Sequence, residues 1–515
     1  MTMAETKSPP VDRRDFLRSS AAVGTALTLS AASYGRVGGS NARLGVAFLG
    51  CGGRAQAHLN AVLKLKAEGD SVAPVGVCDV WDGLEDSYEH EFPPGQFTRR
   101  NYAQGLYPTA KKAGLAIGDA ARVTKDYRRI LDLKDADIVC IATPDHWHAR
   151  MTLDALAAGK DVYCEKPMTR TAVEAQAVVD AVRNSTRVVT VGVQSMADPS
   201  WRTAHDLIRG NRIGPVVQAQ AGVHKNDVRG QWRYYRLTPQ MSAKTIDWDM
   251  FLGHHFDVHG EKLGPTPKEV PFDRAAFAQW RCYWPFGGGP FTDLLVHKAT
   301  QMLAATGLRY PRRVLAAGGL YWEHDGREVP DVATLIADFE EGCQLLFTAT
   351  TVSGYPVEDV IRGRLGAIKF VKSALHLIRD DPTRAAGLPA RLETSVEPTE
   401  TVALTIPANE TRAMWENFLE CVRGRNRATL CPPELGAAAV TLAAMGVQSY
   451  RTGQALFWDN EQRRVLAADG SWAEKWEARS RAKERSAGMQ PPRYMDLAGP
   501  WSDGIGPGRG NPPLG

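Results

Sequence analysis

The sequence predicts an α/β fold in which a doubly wound parallel sheet is followed by an α+β domain built on an antiparallel sheet. Short, uniformly apolar runs alternate with helical patterns between residues 43 and 193, as parallel strands buried on both faces require. A glycine-rich turn joins the first such run directly to a helix. From residue 313 onward, strand-like runs follow one another without helices between them. With 515 residues, 43% apolar and 23% charged, the chain is long enough for two or three domains and is neither collagen-like nor wholly disordered. A formal net charge of +4 over this length gives no basic footprint for nucleic acid or an anionic bilayer. The expected partners are therefore small molecules and further copies of the same chain, a homo-oligomer. No run approaches the ~20 apolar residues of a membrane span.

The first 40 residues read as an address rather than as structure. Asp12-Arg13-Arg14-Asp15-Phe16-Leu17-Arg18 is a twin-arginine pair with Phe-Leu behind it, followed by a weakly apolar stretch from Ala21 to Ala32 and small residues near Ser30 to Ser33. That layout is an export signal, which places the mature chain in the periplasm or otherwise outside the cytoplasm. The twin-arginine route suits a protein that folds around a tightly bound cofactor before crossing the membrane. Up to Ser40 the segment holds five basic and three acidic residues, so its removal lowers the net charge from +4 to +2. The expected organisation is 1–40 as signal and linker, 41–185 as a first domain, 186–470 as a second, and 471–515 as an extended tail rich in Gly and Pro. Eight cysteines raise the question of disulfides, yet Cys78, Cys140 and Cys164 lie in or at the end of apolar runs and Cys51 in a glycine turn. Free buried thiols fit that placement better.

The apolar run ending at Leu49 passes directly into Gly50-Cys51-Gly52-Gly53-Arg54-Ala55 and then a helical pattern with Leu59, Val62 and Leu63 on one stripe. This is G-x-G-x-x-G/A in its strand-turn-helix setting: Gly50 permits the tight turn, Gly52 lets backbone approach a pyrophosphate, and Ala55 allows close helix-strand packing. The helix N-terminus offers its N–H groups to the phosphates. A second apolar strand, Val72 to Cys78, ends in Asp79, 29 residues after Gly50, where a carboxylate can accept from an adenosine ribose. The next charges, Asp82, Glu85 and Asp86, repel a 2′-phosphate and favour NAD(H). NADP remains possible through Arg99 or Arg100 in a polar insertion.

A third strand, Asp137 to Thr143, precedes Pro144-Asp145-His146-Trp147-His148 and a helix stopping at Gly159. A fourth, Asp161 to Cys164, runs into Glu165-Lys166-Pro167, after which Thr171-x-x-Glu174 reads as a capping box. Ligands of doubly wound sheets bind at the carboxyl ends of strands, where Gly50, Asp79, Thr143, Glu165 and Lys166 all fall.

GCGGRA, ATPDHWH and CEKP in this order, with GGGPFTDLLVH further on, resemble the glucose-fructose oxidoreductase / inositol dehydrogenase / MocA family over essentially the whole mature chain. The resemblance implies an N-terminal Rossmann domain, a C-terminal open, mainly antiparallel sheet carrying the substrate site, and hydride chemistry on sugars, cyclitols or related polyols. It assigns Gly50, Gly52, Gly53, Arg54, Asp79, Thr143, Pro144, His148, Glu165 and Gln194 to cofactor binding. It assigns Lys166 and His297 to acid-base work and Asp293 to orienting or substrate binding. Where the family often has Thr-Pro-Asn-x-x-His, this chain has Thr143-Pro144-Asp145-x-x-His148.

In the second domain, the stretch from Asn226 to Pro290 is dense in Trp, Tyr, Arg, Pro and Gly, including Trp232, Arg233, Tyr234 and Tyr235. Loops this long are usually functional. Arg281, Tyr283 and Trp284 are candidate sugar contacts, although a subunit contact would use the same residue types. Gly287-Gly288-Gly289 leads into a helix beginning near Asp293, so Asp293 and His297 at i and i+4 share one face, and the aspartate is expected to favour the imidazolium. His254, His255, Asp257 and His259 have metal-ligating side chains, but a solvated loop is the expected state and no metal is assigned.

The expected function is an NAD(H)-dependent oxidoreductase that transfers hydride from a secondary alcohol of a sugar, cyclitol or polyol. One alternative is redox-neutral glycoside cleavage, elimination or epimerisation through transient oxidation, and another is a non-catalytic sugar or dinucleotide-binding module.

Overall fold

In the computed structural model, residues 43–91, 95–379 and 399–467 are described, and all of them fall in one compact unit. The expected signal and linker 1–40 and the expected tail 471–515 lie outside the described residues. The first layer is a βαβ unit of β1 (Leu44–Leu49), α1 (Gly53–Ala67) and β2 (Val72–Cys78). A hairpin of β3 (Leu84–Glu91) and β4 (Phe97–Gln104) leaves the sheet, and α2 (Leu106–Ala113), β5 (Val123–Thr124) and α3 (Tyr127–Leu131) return to it. Alternation resumes with β6 (Ile138–Ile141), α4 (Asp145–Ala157), β7 (Asp161–Glu165), α5 (Ala172–Arg183) and β8 (Val189–Gly192).

These six strands pair in parallel in the order β5-β2-β1-β6-β7-β8, so the strand order reverses between β1 and β6. That reversal opens a crevice at the carboxyl ends, where this fold class binds ligands. The capping box forms as the spacing predicts: Thr171 Oγ1 accepts from Glu174 N–H at 3.2 Å and the Glu174 carboxylate accepts from Thr171 N–H at 2.9 Å. One boundary moves. β8 lies in the parallel sheet rather than in the second domain, so the division at residue 185 falls one strand short. A parallel crossover whose helix is α5 needs a further strand to complete it.

After α6 (Ser200–Arg209) and β9 (Val216–His224) the chain enters the long aromatic stretch. It contains α7 (Trp248–Leu252), the short pair β10 (Asp257–Val258) and β11 (Glu261–Lys262), and α8 (Arg274–Ala278). A 3-10 turn at Trp280–Cys282 and a π-helical turn at Phe291–Leu295 lead into α9 (Val296–Thr306). Trp81 packs with Met241, Trp248, Phe251, Trp280 and Phe286 in an apolar cluster. Asp247 N–H to Val80 O (2.9 Å) and Asp82 N–H to Thr245 O (3.0 Å) stitch this stretch to the segment after β2.

The second sheet adds β12 (Arg313–Gly319), β13 (Val332–Phe339), β14 (Cys343–Thr350), β15 (Val360–Gly363), β16 (Gly366–Val371), β17 (Ala374–Arg379) and β18 (Glu400–Ala403). Helices α10 (Glu410–Gly424) and α11 (Pro433–Thr452) precede β19 (Leu456–Asp459) and β20 (Arg464–Leu466). Ten strands run in the order β18-β17-β16-β15-β9-β14-β13-β12-β19-β20, antiparallel except for β9 beside β14. Strict alternation of buried and half-buried residues along β13 and β14 marks a sheet with one face on the core. β12 stops at Gly319, because the Asp331 carboxylate accepts the N–H groups of Tyr321, Trp322 and Glu323 and turns the chain. α10 packs back on α1, so the last third of the chain rejoins the first domain. All eight cysteines are buried free thiols, and among the described residues no helix is long and apolar enough to cross a membrane.

Candidate active site

A cavity of about 400 Å³ follows the strand ends and is lined by Gly50, Gly52, Gly53, Arg54, Asp79, Thr143 and Pro144. Gly50 has φ +80°, and a Cβ there would sit 2.7 Å from Ala142 O. A Cβ on Gly52 would meet no atom within 4 Å. The Gly52 backbone therefore borders open space, as close approach of a pyrophosphate requires. Arg54 Nη2 is buried without a hydrogen-bond partner, a donor left over beside the cavity. These residues fit a dinucleotide. Gly52→Val is expected to leave the thermal midpoint unchanged and to weaken NADH binding by about 1–3 kcal/mol, measured by fluorescence titration, because the added methyls fill ligand space rather than protein space.

The Asp79 carboxylate accepts Cys51 N–H at 2.6 Å and Trp81 N–H at 2.8 Å, so it also braces the glycine turn. Burial pushes its pKa up to about 6. In sequence order only acidic residues follow Asp79, but the structure brings Arg100, Lys125 and Arg236 to the same lining. Lys125 pairs with Asp82 at 2.8 Å and Arg236 with Asp86 at 3.0 Å, so the acidic run is balanced. Arg99 points elsewhere, donating to Ser87 Oγ at 2.7 Å.

His148, Glu165 and Gln194 brace the wall rather than line it. Glu165 Oε1 accepts from Arg54 Nε (2.7 Å), His58 Nε2 (2.9 Å) and Gln194 Nε2 (2.8 Å). Burial alone would raise its pKa, but Arg54 and His58 hold it well below the usual carboxylate range. His58 Nδ1 accepts from Trp415 Nε1 at 3.0 Å, which leaves the proton on Nε2, and burial lowers its pKa, so it is a neutral donor. His148 places Nδ1 2.6 Å from Pro167 O and Nε2 2.9 Å from Thr143 O, tying the ends of β6 and β7 together.

Lys166, directly after β7, donates from Nζ to Asp293 Oδ1 at 2.7 Å and to Asp293 O at 3.0 Å. Arg281, which lines the cavity, donates from Nε to the same Oδ1 at 2.9 Å. Trp232 Nε1 donates to Oδ2 at 2.8 Å. Burial would raise the Asp293 pKa, but Lys166 and Arg281 outweigh it and hold the carboxyl far below its ordinary range. The Arg281 guanidinium lies 4.1 Å from the Trp280 ring centroid and 5.4 Å from that of Tyr235.

Two expectations need correction. Asp293 lies inside the π-turn, where the i, i+4 stacking of a regular helix does not hold. Its oxygens are taken by Lys166, Arg281 and Trp232, and no hydrogen bond joins it to His297. His297 is half-buried, has no hydrogen-bond partner among the described residues, and is pushed down to a pKa of about 3 by burial, with Lys166 and Lys225 adding to the effect against Asp293 and Glu165. It is a neutral acceptor, not an imidazolium. Second, Tyr283 and Trp284 do not line the cavity: Tyr283 OH accepts from Arg233 Nη1 at 3.3 Å, and the Trp284 ring faces Tyr450 and Arg451. The 3-10 turn presents Trp280 and Arg281 inward, and Tyr234 and Tyr235 supply the aromatic faces instead.

Among the described residues no group of three or more His, Cys, Asp or Glu is disposed to hold a metal ion. His254 and His255 simply pack ring against ring, 3.8 Å between centroids.

A glycine turn at the switch point of a doubly wound sheet, with a lysine-aspartate-arginine cluster beside it and an open antiparallel sheet behind, defines a two-domain dinucleotide-binding protein. A model of the oxidoreductase family with an NAD-binding Rossmann fold matches residues 44–193, and one of the GFO/IDH/MocA C-terminal domain matches 249–369, together more than half of the chain. The chain belongs to the Gfo/Idh/MocA oxidoreductase family. It is 38% identical over 94 residues to levoglucosan dehydrogenase of Pseudarthrobacter phenanthrenivorans, 18% of this chain and 24% of that protein. It is 33% identical over 149 residues to inositol 2-dehydrogenase of Salmonella typhimurium, 28% of this chain and 43% of that protein. The chain thus spans less than half the length of these curated relatives. Among solved structures, levoglucosan dehydrogenase in complex with NADH and levoglucosan is similar at a TM-score of 0.55 and 18% identity, over 80% of this chain and 98% of that one. Aldose-aldose oxidoreductase from Caulobacter crescentus is similar at 0.53 and 19%, over 81% and 99%.

Proposed function

We propose that this protein oxidises or reduces a secondary alcohol of a sugar, cyclitol or related polyol by hydride transfer. The observation that carries the reading is the convergence of Lys166 and Arg281 on Asp293 beside the dinucleotide cavity, with the neutral His297 on the adjoining turn. A bound nicotinamide supplies the hydride acceptor. Lys166, paired with Asp293, and His297, without a hydrogen-bond partner among the described residues, share the acid-base work at the reacting oxygen: one takes the hydroxyl proton as hydride leaves and the other hydrogen-bonds that oxygen. Tyr234, Tyr235 and Trp280 offer faces to the apolar side of a sugar ring.

The cofactor is held tightly in this reading. Arg236, from the aromatic stretch, lies over Tyr88 (4.4 Å) and Tyr102 (5.6 Å) of the β3-β4 hairpin and pairs with Asp86, so it clasps hairpin to stretch across the cavity. Arg236→Ala is expected to speed NADH release about tenfold in stopped-flow fluorescence, the loss of roughly 1–2 kcal/mol of cation-π contact. We also propose export, on the Arg13-Arg14 segment.

The test is to purify the protein from the periplasmic fraction, record bound nicotinamide by absorbance, and follow a panel of glycosides and polyols by chromatography. Product with a stoichiometric absorbance rise supports net dehydrogenation. Product without it selects redox-neutral chemistry, and inertness with ligand bound overturns the enzyme reading. Recovery only from the cytoplasm overturns export.

A further inference from the structure

Asp145 opens α4 directly after the cavity-lining Thr143 and Pro144, yet it is only 3% exposed. Its carboxyl spans the two halves of the site. Thr292 Oγ1, in the π-turn, donates to Asp145 Oδ2 at 3.3 Å while accepting Gly288 N–H at 2.8 Å. Gly287 leaves the room it needs, since a Cβ there would stand 3.2 Å from the same oxygen. Among the described residues no lysine or arginine forms an ion pair with Asp145, so this buried carboxyl has one hydroxyl partner and no direct counter-charge. The charged groups acting on it come from three other elements: Lys166 after β7, Arg281 in the 3-10 turn and Asp293 in the π-turn.

We propose that Asp145 is a positioning residue that takes up and releases a proton and thereby sets the charge around Lys166. With Asp145 ionised, two carboxylates face Lys166 and Arg281 and the cluster is formally neutral. Ionised Asp145 then adds a second negative charge to that of Asp293 in the surroundings of the Lys166 side chain. With Asp145 protonated, Lys166 must share Asp293 with Arg281 and the cluster carries one positive charge. The geometry is supported by the electrostatics: burial pushes the Asp145 pKa up to about 7, Lys166 and Arg281 draw it down, Asp293 pushes it up and the Thr292 hydroxyl lowers it. An asparagine, which the family pattern often carries here, fills the same space but cannot titrate.

The experiment is an infrared difference titration of the full chain, following the carbonyl stretch of protonated carboxyl groups across neutral pH. It reads neither turnover nor cofactor, so its outcome is separate from that of the hydride-transfer reading. The expected result is a band that fades near pH 7, above that of Asp79 near 6, and that is missing in Asp145→Asn while the Asp79 band stays. In Lys166→Met the midpoint should rise by about 1–3 pH units, as loss of a neighbouring cation requires. Thr292→Val should raise it by less. The proposal is overturned if no band titrates near pH 7, if Asp145→Asn removes no titrating band, or if the Lys166→Met midpoint does not move.

Discussion

Lys166→Met is expected to lower turnover by about 10²–10⁴-fold, the usual worth of a positioned acid-base group, while NADH still binds. The separation of effects follows from the geometry. Lys166 contacts Asp293 and not the dinucleotide lining, so its methylene stem can be kept while its three N–H donors are lost. Met fills the same volume without charge, and Asp293 keeps Arg281 and Trp232 as donors, so the fold has no orphaned carboxylate to expel. His297→Ala should fall in the same range through a different role, because it removes an acceptor and no charge. Both variants are checked against a substrate found in the glycoside and polyol screen, by chromatographic product rate and parallel NADH titration. If the double variant Lys166→Met with His297→Ala turned over at the wild-type rate, the acid-base assignment would be wrong.

Much of this site was legible because its parts obey local rules. The glycine turn, the capping box at Thr171 and Glu174, and the strand-end placement of Asp79, Thr143 and Lys166 each depend on residues within a few positions of one another, so a linear reading recovers them. Trp232 was not recoverable as a donor to Asp293: it lies 61 residues away, fully buried at φ +67°, in a stretch with no periodicity. His58 and Trp415 meet across 357 residues for the same reason. The π-turn misled in another way. Past Pro290, FTDLLVH has the composition of an ordinary helix, and nothing in it announces the wider turn that removes Asp293 from His297. The hairpin, which in sequence is a polar insertion, becomes legible only when Arg236 folds over Tyr88 and Tyr102. Where long-range packing decides which side of a turn faces inward, as at Trp280 against Trp284, residue type carries no direction.

Glu165→Ala is expected to destabilise the chain by about 3 kcal/mol, at the lower end of the range for breaking a buried ionic group. The residue is 4% exposed, and three donors converge on one of its oxygens. Its removal leaves Arg54 Nε and His58 Nε2–H without their acceptor, while Gln194 Nε2 keeps Gly192 O and Arg54 Nη1 keeps Thr411 Oγ1. Arg54 is 30% exposed along its side chain and can recover part of its hydration, which is why the lower figure is expected. His58 cannot, being fully buried, and it also carries Trp415, so the loss spreads to the packing of α10 on α1. Because the folded-state pKa of Glu165 is depressed, its contribution is fully present above the ordinary glutamate value of about 4.3 and is lost as pH falls through the lower folded value. Urea unfolding followed by tryptophan fluorescence should therefore show the wild type and Glu165→Ala far apart at pH 7 and converging in strong acid. Stabilities at pH 7 within about 0.5 kcal/mol of each other would mean that the cluster only orients Arg54 toward the cavity and does not hold the domains together.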